Sequence, residues 1–74
     1  MDETMDFTIE LEREVDGRWI AEIPQLPGVM CYGASRNEAV ARVKALALRV
    51  LADRIEERAG RSNSMRLTFA TATA

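Results

Sequence analysis

Phe7-Thr8-Ile9-Glu10-Leu11-Glu12, then Val15-Asp16-Gly17, then Trp19-Ile20-Ala21-Glu22-Ile23 is the stretch that decides the fold. Phe7, Ile9 and Leu11 alternate with Thr8, Glu10 and Glu12, the period of two expected of a strand with one buried face. Trp19, Ala21 and Ile23 repeat the pattern at the same parity, with Ile20 and Glu22 opposite. Both apolar sets sit at odd positions and must face one core, so an antiparallel pairing has to match odd with odd. A two-residue Asp16-Gly17 turn breaks that parity. The three-residue loop Val15-Asp16-Gly17 keeps it, with Gly17 in the left-handed position of a bulged hairpin. The register that follows sets Leu11 opposite Ala21, Ile9 opposite Ile23 and Glu10 opposite Glu22.

Downstream, Pro24-Gln25-Leu26-Pro27-Gly28 stops the second strand, because two prolines remove backbone donors and Gly28 lets the chain reverse. Val29 to Tyr32, bounded by Gly33, reads as a short third strand. Ser35-Arg36-Asn37-Glu38 has the spacing of a capping box and opens a helix. Ala39, Val40, Val43, Leu46, Ala47, Val50 and Leu51 recur at three- and four-residue steps as its apolar stripe. Gly60 is placed to end the helix just after Arg58, and Arg61-Ser62-Asn63-Ser64 is a polar loop. Met65, Leu67 and Phe69 then alternate as a fourth strand, and Thr71 to Ala74 is expected to fray.

The fold class is therefore α+β in the order β-β-β-α-β. An antiparallel three-strand meander is joined by a fourth strand after one amphipathic helix, through a right-handed crossover. One domain is expected over residues 1–74, with residues 1–5 and 72–74 as flexible ends.

Seventy-four residues bury only about 60% of the surface their unfolded chain exposes, so a homo-oligomer, dimer or tetramer, is expected. The hydrophobic share is 47% and the charged share 30%, a soluble globular balance. A net charge of −2 gives no electrostatic footprint for a phosphate backbone. The chain has one cysteine, no basic apolar leader and no run approaching the roughly 18 apolar residues of a membrane span. A cytoplasmic location without membrane attachment is expected.

Taken together, the alternating first strand, Asp16-Gly17, Trp19, Ile23-Pro24-Gln25-Leu26-Pro27-Gly28, Gly33, and Ser35 leading to Glu38-Ala39 resemble the HicB-like antitoxins of bacterial toxin-antitoxin systems. The resemblance covers Phe7 to about Glu57, and its most specific part is Ile23 to Gly28 read with Gly33 and Glu38-Ala39. Gln25 stands where the family usually has an acidic residue, and Ala34-Ser35 where it usually has Asp-Thr; serine keeps the capping chemistry.

The resemblance implies a partial ribonuclease-H-like fold without catalysis. It gives structural roles to Gly17, Pro24, Leu26, Pro27, Gly28, Gly33, Ser35, Glu38 and Ala39. It also implies a protein partner, a small HicA-type toxin ribonuclease that the chain binds and neutralises. Many such antitoxins add a C-terminal DNA-binding segment; this chain resembles a short form, and DNA binding by it alone is not expected.

A ribonuclease-H-type nuclease converges several carboxylates on two metal ions, and Glu10, Glu12 and Glu22 are the candidates. With no histidine in the chain, a solvated face is the better reading, with Arg66 neutralising Glu10 and Glu22 if the fourth strand lies beside the first. Cys31 has no histidine to activate it and reads as a packed thiol. No catalytic residue, metal or cofactor is expected. Two apolar surfaces are candidate interfaces: outward Ile20, Met30 and Tyr32 on the sheet, and Ala45, Leu48 and Ala52, with Ala41 and Ile55, on a second flank of the helix. A free-standing oligomeric binding domain without a toxin is the alternative reading. A nucleic-acid binder using Arg36, Arg42, Arg49 and Arg61 is a third.

Overall fold

The computed structural model describes residues 2–58 and 64–73. The elements are β1 (Asp2–Arg13), β2 (Trp19–Glu22), β3 (Met30–Gly33), α1 (Arg36–Arg58) and β4 (Ser64–Thr73). They form an α+β domain with one helix on a four-stranded mixed sheet of order β3-β2-β1-β4. β1–β2 and β2–β3 are antiparallel, and β4 runs parallel to β1.

The parity argument sets the first hairpin. Leu11 pairs with Ala21 and Glu10 with Glu22. Glu14 N–H donates to the Arg18 carbonyl at 2.7 Å and Gly17 N–H to the Glu14 carbonyl at 3.0 Å, leaving Val15-Asp16-Gly17 as the loop. Gly17 has φ 92°, the left-handed conformation that glycine adopts without a Cβ penalty. Odd positions of β1 and β2 consequently face the helix: Phe7, Ile9, Leu11, Ala21 and Ile23 are all buried.

The loop from Pro24 to Gly28 is structured by what it buries. Leu26 turns back into the core, held by its N–H to the Ile23 carbonyl (2.9 Å) and by its own carbonyl accepting from Val29 N–H (3.0 Å). Gly28 supplies the left-handed residue at φ 87° that brings the chain into β3.

The helix begins at its predicted cap. Glu38 N–H donates to Ser35 Oγ at 3.1 Å, and Glu38 Oε1 accepts from Ala34 N–H at 2.9 Å, one residue before the donor a capping box ordinarily uses. Ala39, Val43, Ala47 and Leu51 are the buried edge of the stripe, with Val40, Leu46 and Val50 partly buried beside them. Gly33 determines how closely this helix meets the sheet. A Cβ there would lie 2.4 Å from the Ala39 nitrogen and 2.9 Å from its Cα, both backbone atoms that no side-chain rotation can move away.

β1 and β4 both extend past their sequence patterns. β1 begins at Asp2 rather than near Phe7, and β4 spans Ser64–Thr73, although the sequence pattern marks residues 1–5 and 72–74 as free ends. The cause is mutual: ten consecutive pairs, from Asp2 with Ser64 to Leu11 with Thr73, supply backbone bonds that hydrophobic alternation does not encode. Gly60 and Arg61-Ser62-Asn63 lie outside the described residues.

Replacing Gly33 with alanine is expected to destabilise the domain by about 1–3 kcal/mol, the usual cost of an overpacked core contact. At this size each kcal/mol corresponds to roughly 4–8 °C in melting temperature. An unchanged thermal melt for Gly33→Ala would show that the helix can back away from β3 at no cost.

Candidate functional site

The helix covers one face of the sheet, and the other is built from the even-numbered residues. Across β1, β2 and β3 these fall into two cross-strand rows, Glu10–Glu22–Met30 and Glu12–Ile20–Tyr32. One end of the patch is acidic and the other apolar. Met30 is 46% exposed and Tyr32 39%, with Ile20 half-buried between its neighbours. The third strand therefore keeps the parity of the first two, and the structure brings Ile20, Met30 and Tyr32 together as a contiguous strip.

Among the described residues none of these three carboxylates makes an ion pair. The described ion pairs are Arg18 with Asp16 and Arg42 with Glu38, and neither reaches Glu10, Glu12 or Glu22. Arg66 does not serve them. The parallel register places it beside Thr4, and the residue beside Glu10 is Ala72. Thr4 and Glu10 are six positions apart, roughly 20 Å along an extended strand, too far for a contact. The expectation about Arg66 fails because strand adjacency alone does not set a register. Glu10 and Glu22 thus face each other across the ladder with no described counter-charge, an arrangement that costs stability.

Sequence reading misses Arg18. Its guanidinium lies over the Tyr32 ring, 4.6 Å from the centroid, and its Nε donates to Asp16 Oδ2 at 2.8 Å. Its backbone N–H donates to Asp16 Oδ1 at 3.1 Å. These bonds, the backbone donor foremost, hold the Asp16 carboxyl below the ordinary carboxylate range. A signal for this contact exists: the pairing of Ile20 with Tyr32 makes Arg18 a diagonal neighbour of that ring on the same face. One side of Tyr32 is therefore occupied by a cation held by the turn.

Gln25 has a local role as well. Its Oε1 accepts from Thr8 N–H at 3.3 Å, and its Nε2 donates to Thr8 Oγ1 at 3.4 Å, so it closes the β1 edge where β2 no longer pairs with it. An amide can both donate and accept here, which a carboxylate at the same position could not do.

The second candidate surface is the outer flank of α1. Leu48 is 47% exposed, Ile55 42%, and Ala52 is also exposed, whereas Ala45 is half-buried. Cys31 is a free thiol packed at the margin of the core. Trp19 also packs against the core, partly buried. Among the described residues no group of three or more His, Cys, Asp or Glu side chains is arranged to hold a metal ion. No described helix is long and apolar enough to cross a membrane.

Compared with known proteins, the chain matches no family model, no curated protein and no solved structure.

Two outcomes follow from this geometry. Glu22→Thr removes one of two opposed carboxylates, and a gain of a few tenths to about 1 kcal/mol is expected at low ionic strength. A rise in melting temperature that shrinks in high salt would confirm the repulsion; no rise would mean the two charges are not coupled. The Asp16 carboxylate has a lowered folded-state pKa, so its contribution is complete above the unfolded value and is lost as pH falls through the folded one. Arg18 side-chain resonances should carry the upfield ring-current shift of Tyr32 at neutral pH. They should lose it only below the ordinary carboxylate range, and in Asp16→Ala the shift should already be weak at neutral pH and show no such titration.

Proposed function

We propose that the chain is an antitoxin-type protein-interaction module that binds and neutralises a small basic toxin ribonuclease of the HicA type. The observation that carries this reading is the helix-free sheet face, where three carboxylates that make no described ion pair border an apolar strip of Ile20, Met30 and Tyr32. A basic partner supplies the missing counter-charges, and the strip supplies area that can leave water on contact. That is the usual division between a polar rim and an apolar centre in protein interfaces. The net charge of −2 also favours encounter with a positively charged protein.

The resemblance of Phe7 to about Glu57 to HicB-like antitoxins supports the same reading, including the partial ribonuclease-H-like description of the sheet and helix. In this view the module performs no chemistry. The carboxylates that would be metal ligands in a nuclease of that shape serve as contacts, and masking the toxin's basic surface denies it RNA. A cytoplasmic setting accompanies the proposal, since the toxin's substrate is there.

The test is co-expression with a short basic protein encoded beside the chain's own gene, followed by purification and light scattering. A stable complex is expected, with RNA cleavage by the toxin suppressed. Glu10→Lys turns the Glu10–Glu22 repulsion into an attraction, so it should raise the melting temperature of the free domain while weakening the complex on the order of tenfold or more. Binding that survives both Glu10→Lys and Tyr32→Glu, in domains that still melt cooperatively, would place the contact on another face. The absence of any complex would favour the free-standing binding domain.

A further inference from the structure

The sheet has three backbone edges that could pair with another chain, and two of them are protected, one by a covering side chain and one in part by charge. β3 is only four residues long, and Arg42 Nη1 donates to its Tyr32 carbonyl at 3.0 Å. The stretch of β1 that extends beyond β2 carries Glu3 and Asp6, and its junction with the hairpin is closed by Gln25 on Thr8. Short strands, charge and covering side chains are the common ways an edge is protected from pairing.

β4 has only one of these, a single charged side chain. Its outer edge runs ten residues, Ser64-Met65-Arg66-Leu67-Thr68-Phe69-Ala70-Thr71-Ala72-Thr73, with no proline, no glycine and a single charge. No described residue pairs with that edge. Its helix-side residues Met65, Leu67 and Phe69 are only half-buried, although Phe69 stacks on Phe7 at 5.7 Å between ring centroids. The domain is also long for its size, with a radius of gyration of 13.7 Å against about 11 Å for a compact chain of this length.

We propose that the outer edge of β4 pairs antiparallel with β4 of a second copy about a two-fold axis normal to the sheet, giving one continuous eight-stranded sheet. A second copy fits because the strand is complementary to itself. Parity requires even residues to face even ones across the new ladder, so the axis passes through a residue rather than between two. Centred on Thr68, the pairing puts Arg66 opposite Ala70 of the second copy and Leu67 opposite its Phe69. Centred on Phe69, it puts Arg66 opposite Ala72. In both registers the only charge on the strand meets an alanine and avoids its own copy. The half-buried Phe69 gains an apolar partner in both registers, and Leu67 in the first. An isologous contact of this kind consumes the edge it uses, so the assembly closes at two copies.

The inference is independent of any toxin and is tested on the chain alone. Light scattering should give twice the 8.3 kDa of one chain. Ala70→Lys/Ala72→Lys sets a lysine against Arg66 of the second copy in either register. Within one chain the second of these substitutions puts its ammonium beside Glu10, so the fold is not penalised. This variant should have the mass of a single chain with an unchanged circular dichroism spectrum. A doubled mass that persists in the folded variant would overturn the β4 pairing.

Amide exchange in the unmodified protein gives a reading that needs no variant. An edge strand paired on one side in parallel protects alternate amides, whereas pairing on both sides protects successive ones. Consecutive slow amides from Met65 to Thr71, with protection that grows with concentration, are expected. Alternate protection together with a single-chain mass at all concentrations would refute the proposal.

Discussion

β1 is the constraint on which the rest depends, because it is the one described strand that pairs antiparallel on one side and parallel on the other. Its last residues pair antiparallel with β2, and Asp2 to Leu11 pair in parallel with β4. A one-residue slip on either side would move Phe7, Ile9 and Leu11 to the open face and bring Glu10 and Glu12 under the helix. Neither ladder can therefore shift alone. The odd-numbered core of the hairpin and the odd-numbered face of β4 stay on the same side of one sheet.

Gly33 carries that constraint into the helix. The first turn of α1 rests on the backbone of β3 at a distance that excludes even a methyl group, and Ala39 is the residue it meets. This fixes where the helix starts, while the Ser35–Glu38 cap fixes how it starts. The stripe then runs through Val43, Ala47 and Leu51, after which every described side chain up to Glu57 is exposed. The helix covers the hairpin well and is apolar on more than the side that packs.

What can be read in the sequence follows from which forces leave a pattern in it. The hairpin is legible down to its register, because parity rules out the two-residue turn and Gly17 fits the left-handed position of the three-residue loop. The cap is legible because Ser35 and Glu38 are the groups that make the bonds. The Ile20, Met30 and Tyr32 strip is legible because parity carries through the Pro-Gly loop. The extent and offset of the β1–β4 ladder are not, since backbone bonds in a parallel pair leave no mark on side-chain order. That is why sequence reasoning sets Arg66 beside Glu10 when it lies beside Thr4. Arg18 escapes notice for a different reason: it sits at the mouth of a turn, where Gly17 dominates the pattern, although its position diagonal to Tyr32 follows from the same register.

The two surfaces proposed for partners do not compete. The acidic and apolar rows lie on the face of the sheet, spread over β1 to β3, whereas the proposed pairing uses the backbone edge of β4 and leaves faces untouched. In that pairing a two-fold axis normal to the sheet would keep corresponding faces together, so both copies would present their Glu10–Glu22–Met30 and Glu12–Ile20–Tyr32 rows on the same side. Two basic partners could then bind one assembly side by side without crossing the helix layer. The repulsion between Glu10 and Glu22 also fits this arrangement. It is a cost in the free chain that counter-charges from the proposed partner would relieve, so that part of the binding free energy would be stored in the unbound sheet.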